Sequence, residues 1–212
     1  MKIEKYILGE LQANCYLLID KENNCLIIDP ADEGGFLLEE VQRKRLKPQA
    51  ILVTHGHFDH LLAAGEVQKS INIPLYISKK DLFLLERLED SAAYFLGYRP
   101  ATLPIENIKD LNMETSLKIN NWKLKIIKAP GHTPGSVCYF FKKQKVLFSG
   151  DILFKNGVGR YDFSYSSKNN LIESLKKIIS LPEDVIVYPG HGEKTTIKSA
   201  KKYLWQVVFF KS

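Results

Sequence analysis

The sequence predicts an α/β protein in which two β-sheets lie between outer helices, a four-layer αββα sandwich. Short apolar runs typical of strands alternate with amphipathic helical segments along the whole chain of 212 residues, and they do so in two successive halves. No stretch rich in Gly, Pro or Ser separates the halves, so we expect one domain over residues 1–212. A chain of this length buries roughly 70% of its unfolded surface, enough for a core without disulfides.

The first half begins with strand-like runs at 15–19 and 25–28 around a polar turn, which predict a β-hairpin. Apolar residues at helical spacing then predict a helix at 33–45. The remaining elements expected in this half are a strand at 51–53, a helix near 61–70 and a strand at 75–77. The aromatic stretch 91–98 leaves two interpretations open, an inserted helix that packs on the core or a lid that forms a wall for an acyl group.

The second half opens with a β-rich block. The elements expected in it are strands at 116–127, 137–141 and 146–149, a helix at 168–180, a strand at 185–188 and a helix from about 195. The apolar stretch 204–210 is too short to span a bilayer, and we expect it to pack as a terminal segment.

Charge and cysteine content restrict the partners and the compartment. The 30 basic and 24 acidic residues leave a net charge of +6, which favours a small anionic substrate over a nucleic acid or a membrane. The N-terminal residues lack the apolar run of a signal peptide. The three cysteines have no CxxC spacing, so we expect reduced, buried thiols and a cytoplasmic protein.

The segment 55–60 has the sequence HGHFDH and directly follows the apolar run 51–53. Clustered imidazoles repel one another once protonated, whereas a metal ion binds their lone pairs. His55 and His57 are two residues apart and project to one side of an extended loop, where they can share one ion. Asp59 and His60 lie one turn further and can reach a second ion. The sequence therefore predicts a site for two metals.

The two remaining histidines follow strands in similar loops. His132 lies in APGHTPG and His191 in YPGHG, where Gly and Pro fix the backbone and direct a side chain into a cleft. Between them, Asp151 ends the predicted strand 146–149 in a carboxylate. We expect all five histidines of the chain to belong to one metal site.

The ordered set formed by Asp29, the HxHxDH segment, His132, Asp151 and His191 resembles the metallo-β-lactamase superfamily, from the NCYLL run at 14–18 to Thr196. The resemblance implies the αββα fold. It also implies a first metal on His55, His57 and His132, and a second metal on Asp59, His60 and His191, with Asp151 bridging both. Asp29 matches an Asp that is structural near the site, so we do not count it as a ligand.

Two cations about 3.5–4 Å apart lower the pKa of a shared water towards about 7 and so supply hydroxide at neutral pH. Asp59 can also accept a hydrogen bond from this hydroxide and orient it, which makes it the predicted catalytic residue. We therefore expect metal-assisted hydrolysis with two divalent ions, zinc first, with iron or manganese as alternatives.

Two local segments are similar to the short, glyoxalase II-like members of the superfamily. They are FKNGVGRYDF at 154–163 and GEKTTI at 192–197. The likeness implies hydrolysis of a thioester such as a hydroxyacylglutathione, in a form without the C-terminal helical domain that binds glutathione. Arg160 is a candidate contact for an anionic substrate, and a structural ion pair with Asp162 is the equally weighted alternative.

The resemblance leaves other activities on this fold open. A persulfide dioxygenase with one iron, held by two His and an Asp, is the main alternative and resembles the same loop. A nuclease would need an added RNA-docking arm and a basic aromatic groove, which we do not recognise. A β-lactamase would be exported, and we expect no signal peptide here.

Overall fold

The computed structural model describes residues 1–111 and 113–204. They form two compact units, Met1–Met113 and the residues from Glu114 onward, each with its own six-stranded mixed sheet. The single domain expected over residues 1–212 stays a prediction. The terminal segment expected at 204–210 lies outside the described residues after Leu204.

The sheet of the first unit combines an antiparallel and a parallel half. Its strands, in chain order and in spatial order, are β1 Lys2–Leu8, β2 Ala13–Ile19, β3 Asn24–Ile28, β4 Lys47–Leu52, β5 Leu75–Ile77 and β6 Ile108–Asp110. The first three strands are antiparallel neighbours, and β3 to β6 run parallel. All seven residues of β2 are buried, as in a strand covered on both faces.

The helices of this unit occupy the connections between strands. They are α1 Gly34–Arg43, α2 Ala64–Ile71, α3 Leu82–Glu86 and α4 Leu88–Leu96, with 3₁₀ turns at Phe58–His60 and Lys79–Asp81. In α1, Leu37 and Val41 lie one turn apart and are buried, and Leu37 belongs to the core of the unit together with Ile51 of β4 and Val67 of α2.

The sequence predicted the central elements of the first unit. The hairpin is confirmed as β2 and β3, the helix at 33–45 as α1, and the strand at 75–77 as β5. The helix expected near 61–70 begins later, at Ala64, because Phe58–His60 first forms a 3₁₀ turn. The edge strands β1 and β6 were missed: β6 is exposed throughout and β1 has a single buried residue, Leu8, so neither carries a clear apolar alternation.

The sheet of the second unit is mostly antiparallel. Its strands in chain order are β7 Ser116–Ile119, β8 Trp122–Lys128, β9 Val137–Phe141, β10 Val146–Gly150, β13 Ile186–Pro189 and β14 Thr195–Thr196, and a separate hairpin consists of β11 Leu153–Phe154 and β12 Gly157–Val158. The spatial order is β14-β13-β10-β9-β8-β7, and only β10 and β13 pair in parallel. The run expected at 116–127 is split by a turn at Asn120, whose φ is +49°.

Two helices complete the described part of this unit, α5 Lys168–Ile179 and α6 Ile197–Leu204. Ser167 caps α5 by accepting a hydrogen bond from the N–H of Asn170. Leu171, Leu175 and Ile178 of α5 are buried in the core of the unit. Both helices confirm the predictions at 168–180 and from about 195, with shifts of one or two residues at their ends.

The three cysteines are buried and form no disulfide. Burial raises the pKa of the Cys25 thiol to about 12 and raises the pKa of Cys15 as well. These thiols act as small apolar side chains in the core, as the sequence predicted. Among the described residues, no helix is long and apolar enough to cross a membrane.

An ion-pair network joins β1 to α1. Glu40 accepts hydrogen bonds from Tyr6, at 2.7 Å, and from Arg43, and its carboxylate pairs with the Lys44 ammonium at 2.7 Å. Hydrogen bonds from Lys44, Tyr6 and Arg43 lower the pKa of Glu40 from 4.5 to about 2. Because the folded state holds the ionised form, Glu40 stabilises the fold fully above about pH 4.5, and this contribution is lost as the pH falls towards about 2.

Replacing Glu40 by Gln should therefore lower the free energy of unfolding at pH 7 by about 1–2 kcal/mol. This corresponds to a fall in Tm of about 2–8 °C. The loss should shrink between about pH 4.5 and pH 2, where wild-type Glu40 itself becomes protonated. Measuring the Tm of the wild type and of Glu40→Gln across this pH range tests the prediction. Glu39→Gln is the matched control, since Glu39 is the exposed neighbour of the same charge. Equal melting shifts in both variants would contradict the role of the network.

Candidate metal centre

In the first unit, the predicted ligands and the structural residue Asp29 follow two parallel neighbours of the sheet. Asp29 comes directly after β3, and the segment 55–60 follows β4. The carboxyl ends of parallel strands meet at one edge of a sheet, so these side chains converge. The positive φ of Asp29, +48°, turns its carboxylate into this edge, where only 1% of the residue is exposed.

A chain of hydrogen bonds orients His55. The Asp29 carboxylate accepts the N–H of Thr54 at 2.7 Å and the hydroxyl of Thr54 at 2.7 Å. Because that hydroxyl donates to Asp29, it accepts from Nδ1–H of His55, at 3.0 Å. The proton on Nδ1 leaves Nε2 of His55 as an acceptor, and this atom lies 3.1 Å from Nδ1 of His57.

Asp29 also contacts His60. Its Oδ2 atom lies 3.1 Å from Nδ1 of His60, which is fully buried. On the other side of that ring, Nε2 lies 3.6 Å from Oδ2 of Asp59. A carboxylate on one ring nitrogen of a histidine fixes the tautomer in which the other nitrogen can bind a metal. The group Asp29, His55 and His60 has ligand atoms within 4.8 Å of one another.

Gly56 lets the loop between His55 and His57 pack closely on the 3₁₀ turn at 79–81. The carboxylate of Asp81, fully buried, accepts the N–H of Gly56 at 2.9 Å. A Cβ atom at position 56 would lie 2.9 Å from the Asp81 carbonyl oxygen and 3.0 Å from Cβ of Leu84. Asp81 is therefore a positioning residue that the sequence did not indicate, since it lies 25 residues from the motif.

In the second unit, the other three predicted ligands converge at one edge of the sheet. Asp151 follows β10, and His191 follows its parallel neighbour β13. The N–H of Gly190 donates to the carbonyl of Gly150 at 2.9 Å and holds the two strand ends together. Oδ2 of Asp151 lies 3.7 Å from Nε2 of His132 and 3.6 Å from Nε2 of His191.

The loop 157–160 orients His132. Nδ1–H of His132 donates to the carbonyl oxygen of Arg160 at 2.8 Å, so Nε2 is the acceptor that lies near Asp151. Gly159 permits this approach, because a Cβ atom there would lie 1.7 Å from the Asp151 carbonyl oxygen and 3.1 Å from Nδ1 of His132. The similarity at 154–163 pointed to this loop but not to its role as a support for His132.

The side chain of Arg160 makes the ion pair that the sequence left as an alternative. Its guanidinium forms a two-point contact with the Asp162 carboxylate, at 3.0 and 2.9 Å, and lies over the ring of Phe163. Asp162 raises the pKa of Arg160, and Arg160 lowers the pKa of Asp162. Both side chains are exposed, so the contact is open to an incoming anion. Contact with substrate stays a prediction.

The donor set of each unit fits a divalent metal. In the first unit, the facing nitrogens of His55 and His57 are 3.1 Å apart. In the second, one carboxylate oxygen lies 3.6–3.7 Å from two imidazole nitrogens, beyond hydrogen-bond distance. Tetrahedral ligands at zinc bond lengths lie about 3.3 Å from each other. Imidazole and carboxylate donors suit zinc, iron and manganese.

Each of the seven predicted ligands thus lies near others within its own unit. The first unit brings together His55, His57, Asp59 and His60, and the second His132, Asp151 and His191. That the two sets bind one pair of metals, with Asp151 as the bridge and Asp59 as the catalytic residue, stays a prediction.

Known proteins that are similar to this chain point to a single family. Residues 8–191 match the family model of the Metallo-beta-lactamase superfamily. The hydroxyacylglutathione hydrolase GloC of Haemophilus influenzae is 37% identical over 206 residues, covering 95% of this chain and 96% of the relative.

Two solved structures support the same family. The BLEG-1 B3 metallo-beta-lactamase is 34% identical with a TM-score of 0.90 over all of both chains. TTHA1623 in a di-iron-bound form is 35% identical with a TM-score of 0.85, covering 94% of this chain and 98% of that one. These likenesses confirm the predicted α/β fold class.

Proposed function

Because the chain belongs to the metallo-beta-lactamase superfamily, we propose that it is a metal-dependent hydrolase that uses two divalent ions to cleave a thioester such as a hydroxyacylglutathione. The likeness to a hydroxyacylglutathione hydrolase at 37% identity over nearly the whole chain carries the choice of substrate class. The superfamily and the His and Asp clusters support the coarser activity, that of a metallo-hydrolase.

In this proposal His55, His57 and His132 would hold the first metal, Asp59, His60 and His191 would hold the second, and Asp151 would be a ligand shared by both. When bound, the two ions supply Lewis acidity and lower the pKa of a coordinated water. Zinc is the first choice, and the di-iron form of a relative makes iron the leading alternative.

The chain's own residues then position the reactants. Asp59 accepts a hydrogen bond from the attacking water and aims it at the thioester carbonyl. Asp29 and the backbone carbonyl of Arg160 act through the histidines. The Asp29 carboxylate accepts Nδ1–H of His60, and the Arg160 carbonyl accepts Nδ1–H of His132, which leaves Nε2 of each ring available for the metal. The leaving group departs as a thiolate without a general acid, because the pKa of its thiol is about 8.5.

Metal removal tests the proposal. The protein as isolated should contain about two divalent ions per chain and hydrolyse glutathione or CoA thioesters. Dialysis against a chelator should abolish the activity, and zinc or iron should restore it. Activity that survives in metal-free protein would contradict the mechanism. One iron per chain, together with consumption of oxygen when a persulfide is added, would replace the proposed hydrolase by a dioxygenase.

A second candidate is β-lactam hydrolysis, which the 34% identity to a B3 metallo-beta-lactamase favours. An amine leaving group needs a proton that a thiolate does not. A chromogenic cephalosporin assayed beside the thioesters separates the two, and a higher kcat/KM on the β-lactam would reject the thioester assignment.

The role of Arg160 is tested by substrate charge. Arg160→Ala should raise KM for anionic thioesters by about three- to tenfold, a modest effect because the side chain is exposed and already paired with Asp162. KM for a neutral thioester should change little. Equal effects on both substrates would mean that Arg160 has only its structural ion pair.

We also propose that the protein is cytoplasmic and acts on a small anionic thioester without a nucleic-acid or membrane partner. The net charge of +6 and the reduced, buried cysteines support this proposal.

A further inference from the structure

Lysines lie close together on one face of the strands β7 and β8. Lys118 of β7 is directly opposite Lys123 of β8 in the antiparallel pair, and Lys125 shares the face of Lys123 because alternate residues of a strand point to one side. Two more lysines, Lys142 and Lys143, begin the 3₁₀ turn that follows β9, the next strand of the sheet. All five residues are exposed. Like charges directly opposite each other on a sheet destabilise it.

This lysine cluster has no acidic counterpart. Within the described part of the chain, no side chain forms an ion pair or a hydrogen bond with the ammonium group of any of the five lysines. Other lysines of the same unit do pair with carboxylates, as in Lys145–Asp184, Lys155–Glu193 and Lys201–Glu183. The positive charge of the cluster is therefore left to be offset by an anion from solution.

The cluster lines an open recess of about 820 Å³. This volume is within the range of small-ligand sites, about 300–1,000 Å³. Beside the lysines, the lining includes three side chains that can donate hydrogen bonds, Ser116, Asn121 and Gln144. None of the described residues that line the recess is acidic. Its size, charge and donors all suit a small anion.

The recess is separate from the predicted metal centre. His132 follows the carboxyl end of β8, whereas Lys123 lies near the amino end of the same strand. Five residues separate Lys123 from Lys128, the last residue of β8, which corresponds to about 17 Å along an extended strand. An anion in the recess is thus not the substrate of the metal centre, and an inference about it does not depend on the proposed function.

We propose that this recess binds a small phosphate anion of several charges, a short chain or ring of phosphates. Lysine ammonium groups are compact point charges that bind phosphate, whereas carboxylates are matched best by the fork of an arginine, and no arginine lines the recess. A single-stranded nucleic acid would need an exposed ring on which its bases stack. Phe140, the aromatic residue of the lining, is only 6% exposed.

Titration of the metal-loaded protein with trimetaphosphate, a ring of three phosphates, tests this proposal. Amide NMR signals of residues 116–125 and 140–144 should shift. Replacing Lys123 and Lys142 together by Gln should weaken binding by at least about tenfold, because two charge-assisted hydrogen bonds are lost. The matched control replaces Lys177 and Lys198 by Gln, which removes the same charge from exposed positions on α5 and α6. Its affinity should stay within about twofold of the wild type, because distant exposed charges are screened.

The repulsion between opposed lysines gives a second measurement. Lys118→Gln should raise the Tm in phosphate-free buffer by about 1–3 °C. Trimetaphosphate should then raise the Tm of the wild type more than that of this variant, because it binds the folded wild type more tightly. A lower Tm of Lys118→Gln in phosphate-free buffer would contradict the inference.

Three outcomes of the titration would overturn the proposal. They are the absence of trimetaphosphate binding at the recess, equal losses of affinity in the two double variants, and tighter binding of a single-stranded oligothymidylate or of hexaglutamate than of trimetaphosphate at the same lysines. The second would reduce the effect to net charge. The third would replace the phosphate site by a surface for nucleic acid or for an acidic peptide.

Discussion

Replacement of Asp151 by Ala should remove bound metal and hydrolytic activity together. Oδ2 of Asp151 lies within 3.7 Å of the Nε2 atoms of both His132 and His191. Loss of this carboxylate leaves only neutral imidazole donors in that unit's set, with no anion to offset the repulsion between two neighbouring cations. A loss of several kcal/mol in stabilisation of the transition state corresponds to a fall in kcat/KM of about 10³-fold.

Metal analysis of the purified variant decides the point. We expect fewer than two ions per chain in Asp151→Ala and two in the control Asp184→Ala, which removes an exposed carboxylate paired with Lys145 in the same unit. Near-UV circular dichroism shows whether both variants fold alike. Unchanged metal stoichiometry in Asp151→Ala would refute the bridging role.

The positions of the candidate ligands at strand ends could be predicted from the sequence because their signals are local. Each predicted ligand lies in a short loop after a strand, and each strand is recognisable from its own apolar run, as for β4 and β10. The residue types themselves indicate a metal site, since few environments other than a metal site accommodate three histidines within six positions. Parallel pairing of β3 with β4 and of β10 with β13 then brings the loops to one edge of each sheet.

The supports of these ligands could not be predicted because they depend on contacts between distant residues. Asp81 reaches Gly56 across 25 positions, and the carbonyl of Arg160 reaches His132 across 28. Every residue has a backbone carbonyl, so the residue type does not show which carbonyl supports a ligand. The motif showed Arg160 as a charged side chain, whereas the structure gives its backbone a second role.

The aromatic stretch 91–98 illustrates a different limit. The sequence leaves two interpretations of the stretch 91–98 open, a helix packed on the core or a wall for the substrate. The spacing of aromatic residues on a short helix does not decide which side is buried. Burial of Leu88 and Ala92 fixes the orientation of α4, and stacking on Phe58 then places Phe95 beside the predicted ligand turn.

Replacement of Gly159 by Ala should have the second large effect, although it removes no functional group. The added Cβ would lie 1.7 Å from the carbonyl oxygen of Asp151, a backbone atom that cannot move without shifting the Asp151 side chain. The loop must therefore retreat and carry the carbonyl of Arg160 away from Nδ1 of His132. Loss of such a support typically weakens metal binding by about 10- to 100-fold, and the overpacking itself costs about 1–3 kcal/mol of stability.

Chelator competition on refolded, metal-free protein measures this affinity without reliance on activity. The control is Gly157→Ala in the same loop, where a Cβ would meet only Phe154 at an ordinary 3.9 Å. Both variants lose the same backbone freedom, so a difference between them isolates the contact with Asp151 and His132. If Gly159→Ala binds zinc as tightly as Gly157→Ala, the loop 157–160 does not support the metal centre, and the orientation of His132 must come from its own turn.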